Sequence, residues 1–240
     1  MRNIFRFFLY SIAALVVFGC EQTSEKIDCE DILEKTYSDS SLNNFEKNKF
    51  KDLLKNRYPE FDVMFEEAAK ETSIEKNLLA AISFQESQWD PKAISNMGVR
   101  GMMMVTLETA ALVGVEKRLD PEQNIKGGAK YFAILKEKNM IGPTEADRLA
   151  ATLASYNLGP TNMINIASQI NKDISLVTWV EIQNKLKTMK GSELNLTDKG
   201  SYTRSQQALD YVDRVKDYYR LLSAHSCIAP KDQLSFFLEI

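Results

Sequence analysis

From residue 45 onward the apolar positions recur at the three- and four-residue spacing of helices, and no run keeps the alternation of a half-buried strand. Phe45, Phe50, Leu53 and Leu54 predict a short amphipathic helix leading to Tyr58-Pro59. Phe61, Met64, Phe65 and Ala68 share one face of a second helix, and Ser73 is placed to cap a third that begins at Ile74. Asp120-Pro121-Glu122-Gln123 has a cap, a first-turn proline and a Gln three residues on. Thr144 caps a helix from Glu145 to about Asn157, stopped by Gly159-Pro160. Helical periods return over Trp179 to Met189 and Gln206 to Ser223, the latter with Leu209, Val212, Val215, Tyr219 and Leu222 inward. Irregular loops are expected near 88–105 and 190–202. The fold class that follows is all-α, with about seven to nine helices.

The start of the chain follows a different pattern. Arg2 and Arg6 precede an apolar run from Phe7 to Phe18, the length of a secretion-signal core and too short to span a bilayer comfortably. Val17-Phe18-Gly19-Cys20 resembles the lipobox of bacterial lipoproteins, so residues 1–19 are expected to leave as a signal peptide and Cys20 to be acylated. Glu21, rather than Asp, then implies the periplasmic face of the outer membrane. Glu21 to about Asn44 is polar and acidic, so residues 20–57 read as a lipidated tether ending in the short helix. Cys29 and Cys227 also remain in the exported part. They form either a disulfide or two reduced thiols, a choice that spacing alone leaves open.

Composition narrows the chemistry. The 240 residues are 44% hydrophobic and 26% charged, enough for one well-filled core, and exclude a disordered or collagen-like chain. The net charge is −3, and removal of residues 1–19 takes two arginines and no acid, so nucleic acid is not an expected partner. One His and three Cys match no metal-ligand spacing, and no phosphate-cradling glycine pattern occurs, so neither metal nor cofactor is expected. Gly127-Gly128, inside a predicted helix, points to close packing rather than chemistry.

Glu86 stands out on the helix from Ile74. At about 100° per residue it lies about 20° from Leu79 and about 40° from Ile82, on the apolar stripe. Asp90-Pro91 must end the helix, leaving the carboxyl at its C-terminal end, where the helix dipole also disfavours ionisation. A desolvated carboxyl stays protonated near neutrality, as a general acid requires. On periodicity alone, a solvated flank residue reads as well.

The surroundings of Glu86 add to this. Glu86-Ser87-Gln88-Trp89-Asp90-Pro91, Ser95, Gly98-Val99-Arg100-Gly101-Met102-Met103-Met104 and Ser155-Tyr156-Asn157-Leu158-Gly159 stand in an order that resembles the lytic transglycosylases of glycoside hydrolase family 23. Within it the likeness is strongest to the F branch of membrane-bound enzymes, through Gly101-Met102-Met103-Met104 and the run from Asp120 to Gly128. Tyr202-Thr203-Arg204 and Tyr211-Val212 continue it. The resemblance implies a lysozyme-like transglycosylase domain over 58–225, followed by a tail over 226–240.

It also implies peptidoglycan glycan strands as substrate and roles for particular residues. Glu86 would be the catalytic acid and then base, Ser95 a hydrogen-bonding partner near the sugar or the carboxyl, and Tyr156 and Asn157 the wall of the cleft. Met104 stands where many members have a glycan-binding Gln. Ser95 could equally be a turn residue, Tyr156 a core aromatic, and Asp90 and Arg100 a structural pair. Most glycosidases use two carboxylates, and these motifs supply one. The implied route therefore uses the muramoyl N-acetyl oxygen to stabilise the cationic centre and closes a 1,6-anhydro ring. Hydrolysis, as in goose-type lysozymes, and a glycan-binding scaffold with little turnover are the rival readings.

Cys20→Ser should leave uncleaved or soluble protein, read by membrane fractionation and intact mass. A variant that is processed and fractionates like a wild type lacking acyl mass would remove the anchor.

Overall fold

The computed structural model describes residues 29–170, 173–189 and 203–226. Cys20 and Cys227, and the loop expected at 190–202, lie outside these residues. Ten α-helices follow one another: α1 (Cys29–Asp39), α2 (Asn44–Asn56), α3 (Asp62–Thr72), α4 (Lys76–Ser87), α5 (Leu107–Val113), α6 (Pro121–Lys138), α7 (Glu145–Leu158), α8 (Pro160–Ser168), α9 (Trp179–Thr188) and α10 (Arg204–His225). Short 3-10 turns cover Tyr58–Glu60 and Ile174–Leu176. The described residues contain no strand, only bridges joining Ile94 to Arg100 and Arg100 to Val105. The all-α expectation holds: nine of these helices follow from Asn44 onward, within the seven to nine expected, and α1 precedes them.

Side-chain caps set most helix starts. Asn43 with Glu46, Thr144 with Asp147 and Thr178 with Glu181 form reciprocal capping boxes on α2, α7 and α9, and Thr106, Asp120 and Thr203 cap α5, α6 and α10. Ser73 departs from its expected role. It ends α3 in a left-handed conformation (φ 56°), and Glu75 opens α4 without a side-chain cap. Gly127 and Gly128 do permit close approach, but to loop rather than helix: an added Cβ would lie 2.3 Å from Val115 and 2.5 Å from Met103 respectively.

α4 is buried on every side from Asn77 to Phe84, and α10 packs along it. Phe84 meets Tyr218 edge-on at 4.5 Å, and Phe50 of α2 stacks on Tyr218 at 5.3 Å. Trp89 completes this cluster with its ring 4.7 Å from Phe84 and 4.8 Å from Tyr58, donating from Nε1 to the Ala80 carbonyl at 2.8 Å. α1 lies where a tether was expected. Its Tyr37 hydroxyl is 2.8 Å from Nε2 of His225, and beyond the helix Asp217 accepts from the backbone and hydroxyl of Ser41 at 2.9 and 2.6 Å. α1 thus runs antiparallel along the end of α10. Cys29 at its start is disulfide-bonded.

The loop after α4 is held from two sides. Ser83 and Ser87 of α4 both donate to the Met102 carbonyl, at 3.1 and 2.8 Å. From α6, Asn124 accepts from the Met103 N–H at 2.7 Å and donates to the carbonyls of Arg100 and Arg118 at 2.9 and 2.7 Å. Gly101 (φ +80°) lies so close to Asn124 that a Cβ would meet its amide at 2.3 Å.

Asn124→Ala leaves the buried Met103 N–H and the part-buried Arg118 carbonyl without that partner, while the Arg100 carbonyl keeps the Val105 N–H. A loss of about 3 kcal/mol in denaturant unfolding is expected; a loss below about 1 kcal/mol would show that the loop holds itself.

Candidate active site

Glu86 sits on the last turn of α4, which closes at a left-handed Gln88 (φ 55°) followed by a left-handed Trp89 (φ 59°). Two such non-glycine residues in sequence are strained, and the strain persists because Trp89 is fully buried and the Arg57 guanidinium donates to the Gln88 carbonyl at 3.0 Å. Glu86 is therefore presented by a rigid turn. Part of its side chain reaches solvent, yet burial of the carboxyl raises its pKa from 4.5 to about 7. The Tyr211 hydroxyl and the Arg204 charge, both on α10, act in the opposite direction and more weakly. Tyr211 is buried with its hydroxyl close to that carboxyl but in no hydrogen bond of good geometry.

Tyr156, on α7, faces the same carboxyl closely enough for the two groups to affect each other electrostatically. Its hydroxyl donates to the Met103 carbonyl at 2.8 Å, and its ring lies 5.7 Å from Tyr131 and 6.0 Å from Phe132. Its hydroxyl is thus committed to the loop and its ring to the wall.

A groove of about 730 Å³ opens between α5, α6, α7 and α8. Met104, Tyr156 and Asn157 line it, together with Tyr131 and Glu108, which the sequence did not single out. Met104 is held left-handed (φ 47°) by a turn in which its N–H bonds the Gly101 carbonyl at 3.1 Å. The Asn157 side-chain oxygen is buried with no hydrogen-bond partner among the described residues, and Asn157 lines the groove.

Glu86 and Ser95 are not part of the groove lining. Glu86 is coupled to the groove through Tyr156. The Ser95 hydroxyl instead accepts from the N–H groups of Met97 and Val99 at 3.2 and 3.3 Å, which makes it a turn residue in this structure. Asp90 accepts from the Lys92 N–H at 2.9 Å, and among the described residues no ion pair joins it to Arg100. No cluster of potential metal ligands occurs among the described residues.

Comparison with known proteins places this arrangement. Residues 63–176 match the family model of the Transglycosylase SLT domain, and that stretch of the chain belongs to this family. Among curated relatives, the chain is 40% identical over 169 residues to membrane-bound lytic murein transglycosylase F 1 of Alkalilimnicola ehrlichii, covering 69% of this chain and 34% of that one. It is 39% identical over 174 residues to membrane-bound lytic murein transglycosylase F of Maricaulis maris, covering 71% and 38%. The corresponding protein of Photobacterium profundum is 31% identical over 222 residues, covering 90% and 43%.

The chain thus spans little more than a third of the length of the first relatives. A solved structure of an inactive mutant of lytic transglycosylase Slt from Pseudomonas aeruginosa covers 76% of this chain and 28% of its own, at 16% identity and TM-score 0.49. No helix among the described residues is long and apolar enough to cross a membrane.

The raised carboxyl of Glu86 sets a pH dependence of stability. The folded state holds a proton that the unfolded state has lost between about pH 4.5 and 7, so this group makes stability fall as pH rises through that window and leaves it level above. Glu86→Gln should therefore melt a few degrees above wild type at pH 8 and nearly with it at pH 4. Equal differences at both pH values would mean that the carboxyl is solvated.

Proposed function

We propose that this chain is a peptidoglycan lytic transglycosylase that cleaves the β-1,4 bond from N-acetylmuramic acid to N-acetylglucosamine without consuming water. The observation that carries this reading is Glu86, a desolvated carboxyl with its pKa raised to about 7, close enough to the groove-lining Tyr156 for the two to affect each other. Near neutrality it can both give and take a proton.

In the first step Glu86 protonates the bridging oxygen as the glycosidic bond breaks, and the N-acetyl oxygen of the muramoyl unit stabilises the cationic C1. In the second, the carboxylate takes the proton of the same sugar's C6 hydroxyl as that oxygen bonds to C1. The products are a free N-acetylglucosamine 4-hydroxyl and a 1,6-anhydromuramoyl end, and the enzyme regains its proton. Tyr156 and Asn157 serve as groove wall and acceptor, Met104 shapes the floor, and Ser95 reaches the reacting region with the hydroxyl proton its turn leaves unused. The names of the relatives support the reaction class and the membrane location. The same reading anchors the chain by acylated Cys20 to the outer membrane and pairs Cys29 with Cys227.

Glu86→Gln should lower turnover about a hundredfold or more while the variant stays folded, measured as release of soluble fragments from purified peptidoglycan. Wild-type fragments should carry anhydromuramoyl ends, one water lighter than reducing ends by mass spectrometry. Predominant reducing ends would make the enzyme a hydrolase, and an undiminished Glu86→Gln variant would remove Glu86 from the chemistry.

A further inference from the structure

The residues just before the stretch that matches the family model close on the turn behind Glu86. Arg57 ends α2, its N–H bonded to the Leu53 carbonyl at 2.9 Å, and Tyr58 follows it into the core. Rings fasten this segment to the end of α4: Phe50 lies edge-on to Phe84 at 5.0 Å, and Phe50 and Tyr58 meet Trp89 at 5.9 and 4.8 Å. Arg57 is half-buried, directs its guanidinium to the Gln88 carbonyl at 3.0 Å, and makes no ion pair with the described residues.

Gln88 depends on that bond. Its side chain is exposed, and its backbone is held by two bonds, from its N–H to the Phe84 carbonyl at 2.8 Å and from Arg57 to its own carbonyl. The left-handed φ of Trp89 orients the peptide plane that carries this carbonyl. With the indole fixed by burial, a return of that φ to negative values must swing the carbonyl away from Arg57. The guanidinium therefore opposes the motion by which Trp89 would relax, and Glu86, two residues before Gln88, moves with that end of the helix.

We propose that Arg57 is a positioning residue for Glu86, holding the Gln88-Trp89 turn in the strained form that keeps the carboxyl out of water. The inference rests on the proposed function, which makes Glu86 the proton donor. The groups that face the carboxyl, Tyr211 and Arg204 from α10 and Tyr156 from α7, stay in place when residue 57 is changed.

The test measures fragment release from purified peptidoglycan across pH by the full chain, detergent-solubilised, and by its Arg57→Ala variant. A proton donor of lower pKa stops donating at lower pH. Arg57→Ala should thus move the alkaline limb down by about one pH unit and cut kcat at pH 8 about tenfold, with KM unchanged. Loss of the Arg57 charge alone would act the other way, since removing a cation raises a carboxyl pKa. Glycine accepts a left-handed φ without steric cost, so adding Gln88→Gly to Arg57→Ala should restore at least half of the displacement. Asn56→Ala, one residue back and bonded to Asp52 at 2.8 Å, should keep the parent's profile.

A limb that stays or moves up in Arg57→Ala, or a glycine that restores nothing, overturns the proposal. Melting gives a readout apart from catalysis: the advantage of Glu86→Gln at pH 8 should be about 40% smaller in the Arg57→Ala background, and an undiminished advantage overturns the proposal as well. A parent that releases no fragments while that advantage still shrinks would keep Arg57 as the holder of this carboxyl and reject the enzymatic reading.

Discussion

The burial of α4 on every side from Asn77 to Phe84 is the constraint on which the site depends. A helix packed on all sides cannot present a polar group without cost, so the first titratable side chain after the buried run, Glu86, appears where the helix is about to stop. The stop is enforced by Trp89, whose indole fills the space between Phe84 and Tyr58 and whose Nε1 satisfies a carbonyl of the same helix. Loosening that ring would release the left-handed pair at 88 and 89 and let the carboxyl drift towards solvent, taking its raised pKa with it.

The second support is the doubly held loop. Ser83 and Ser87 hold Met102 from the α4 side, and Asn124 holds Met103 from the α6 side. Tyr156 then bonds the Met103 carbonyl, so α4, α6 and α7 meet through two consecutive loop residues, Met102 and Met103. Gly101 and Gly128 are small because this junction leaves no room for a Cβ. The runs at 98–104, 120–128 and 155–159, separate in sequence, are thus parts of one mechanical unit between the helix that carries Glu86 and the helices that wall the groove.

How much was legible beforehand follows from which forces are local. Caps and apolar periods are local, so α2, α3, α6, α7, α9 and α10 were readable, as was the place of Glu86 near a helix end. α1 was not, because Tyr37 is its one buried residue and a single anchor makes no period. α5 has seven residues, too few for a pattern. α8 was hidden by Gly159-Pro160, which reads as a stop although the proline is also the first residue of the next helix. In the site, Tyr156, Asn157 and Met104 were legible through the family resemblance. Tyr211 and Arg204 were quoted as part of that resemblance without a role, because their nearness to Glu86 depends on how α10 lies against α4. Asn124 and Tyr131 were missed for the same reason: a side chain's tertiary partner leaves no mark on its own spacing.

The balance of influences on Glu86 suits the proposed cycle better than burial alone would. A carboxyl desolvated with nothing opposing it would hold its proton too firmly to protonate a departing oxygen, and one facing a strong ion pair would give it up before substrate arrived. Here burial dominates, while the Arg204 charge and the Tyr211 hydroxyl restrain the shift, leaving the group near pKa 7. The restraint comes from α10 and the desolvation from the packing around α4, so the fit of one helix against another tunes the acid. α10 is itself held at its far end, where His225 meets Tyr37 of α1 and Asp217 accepts from Ser41.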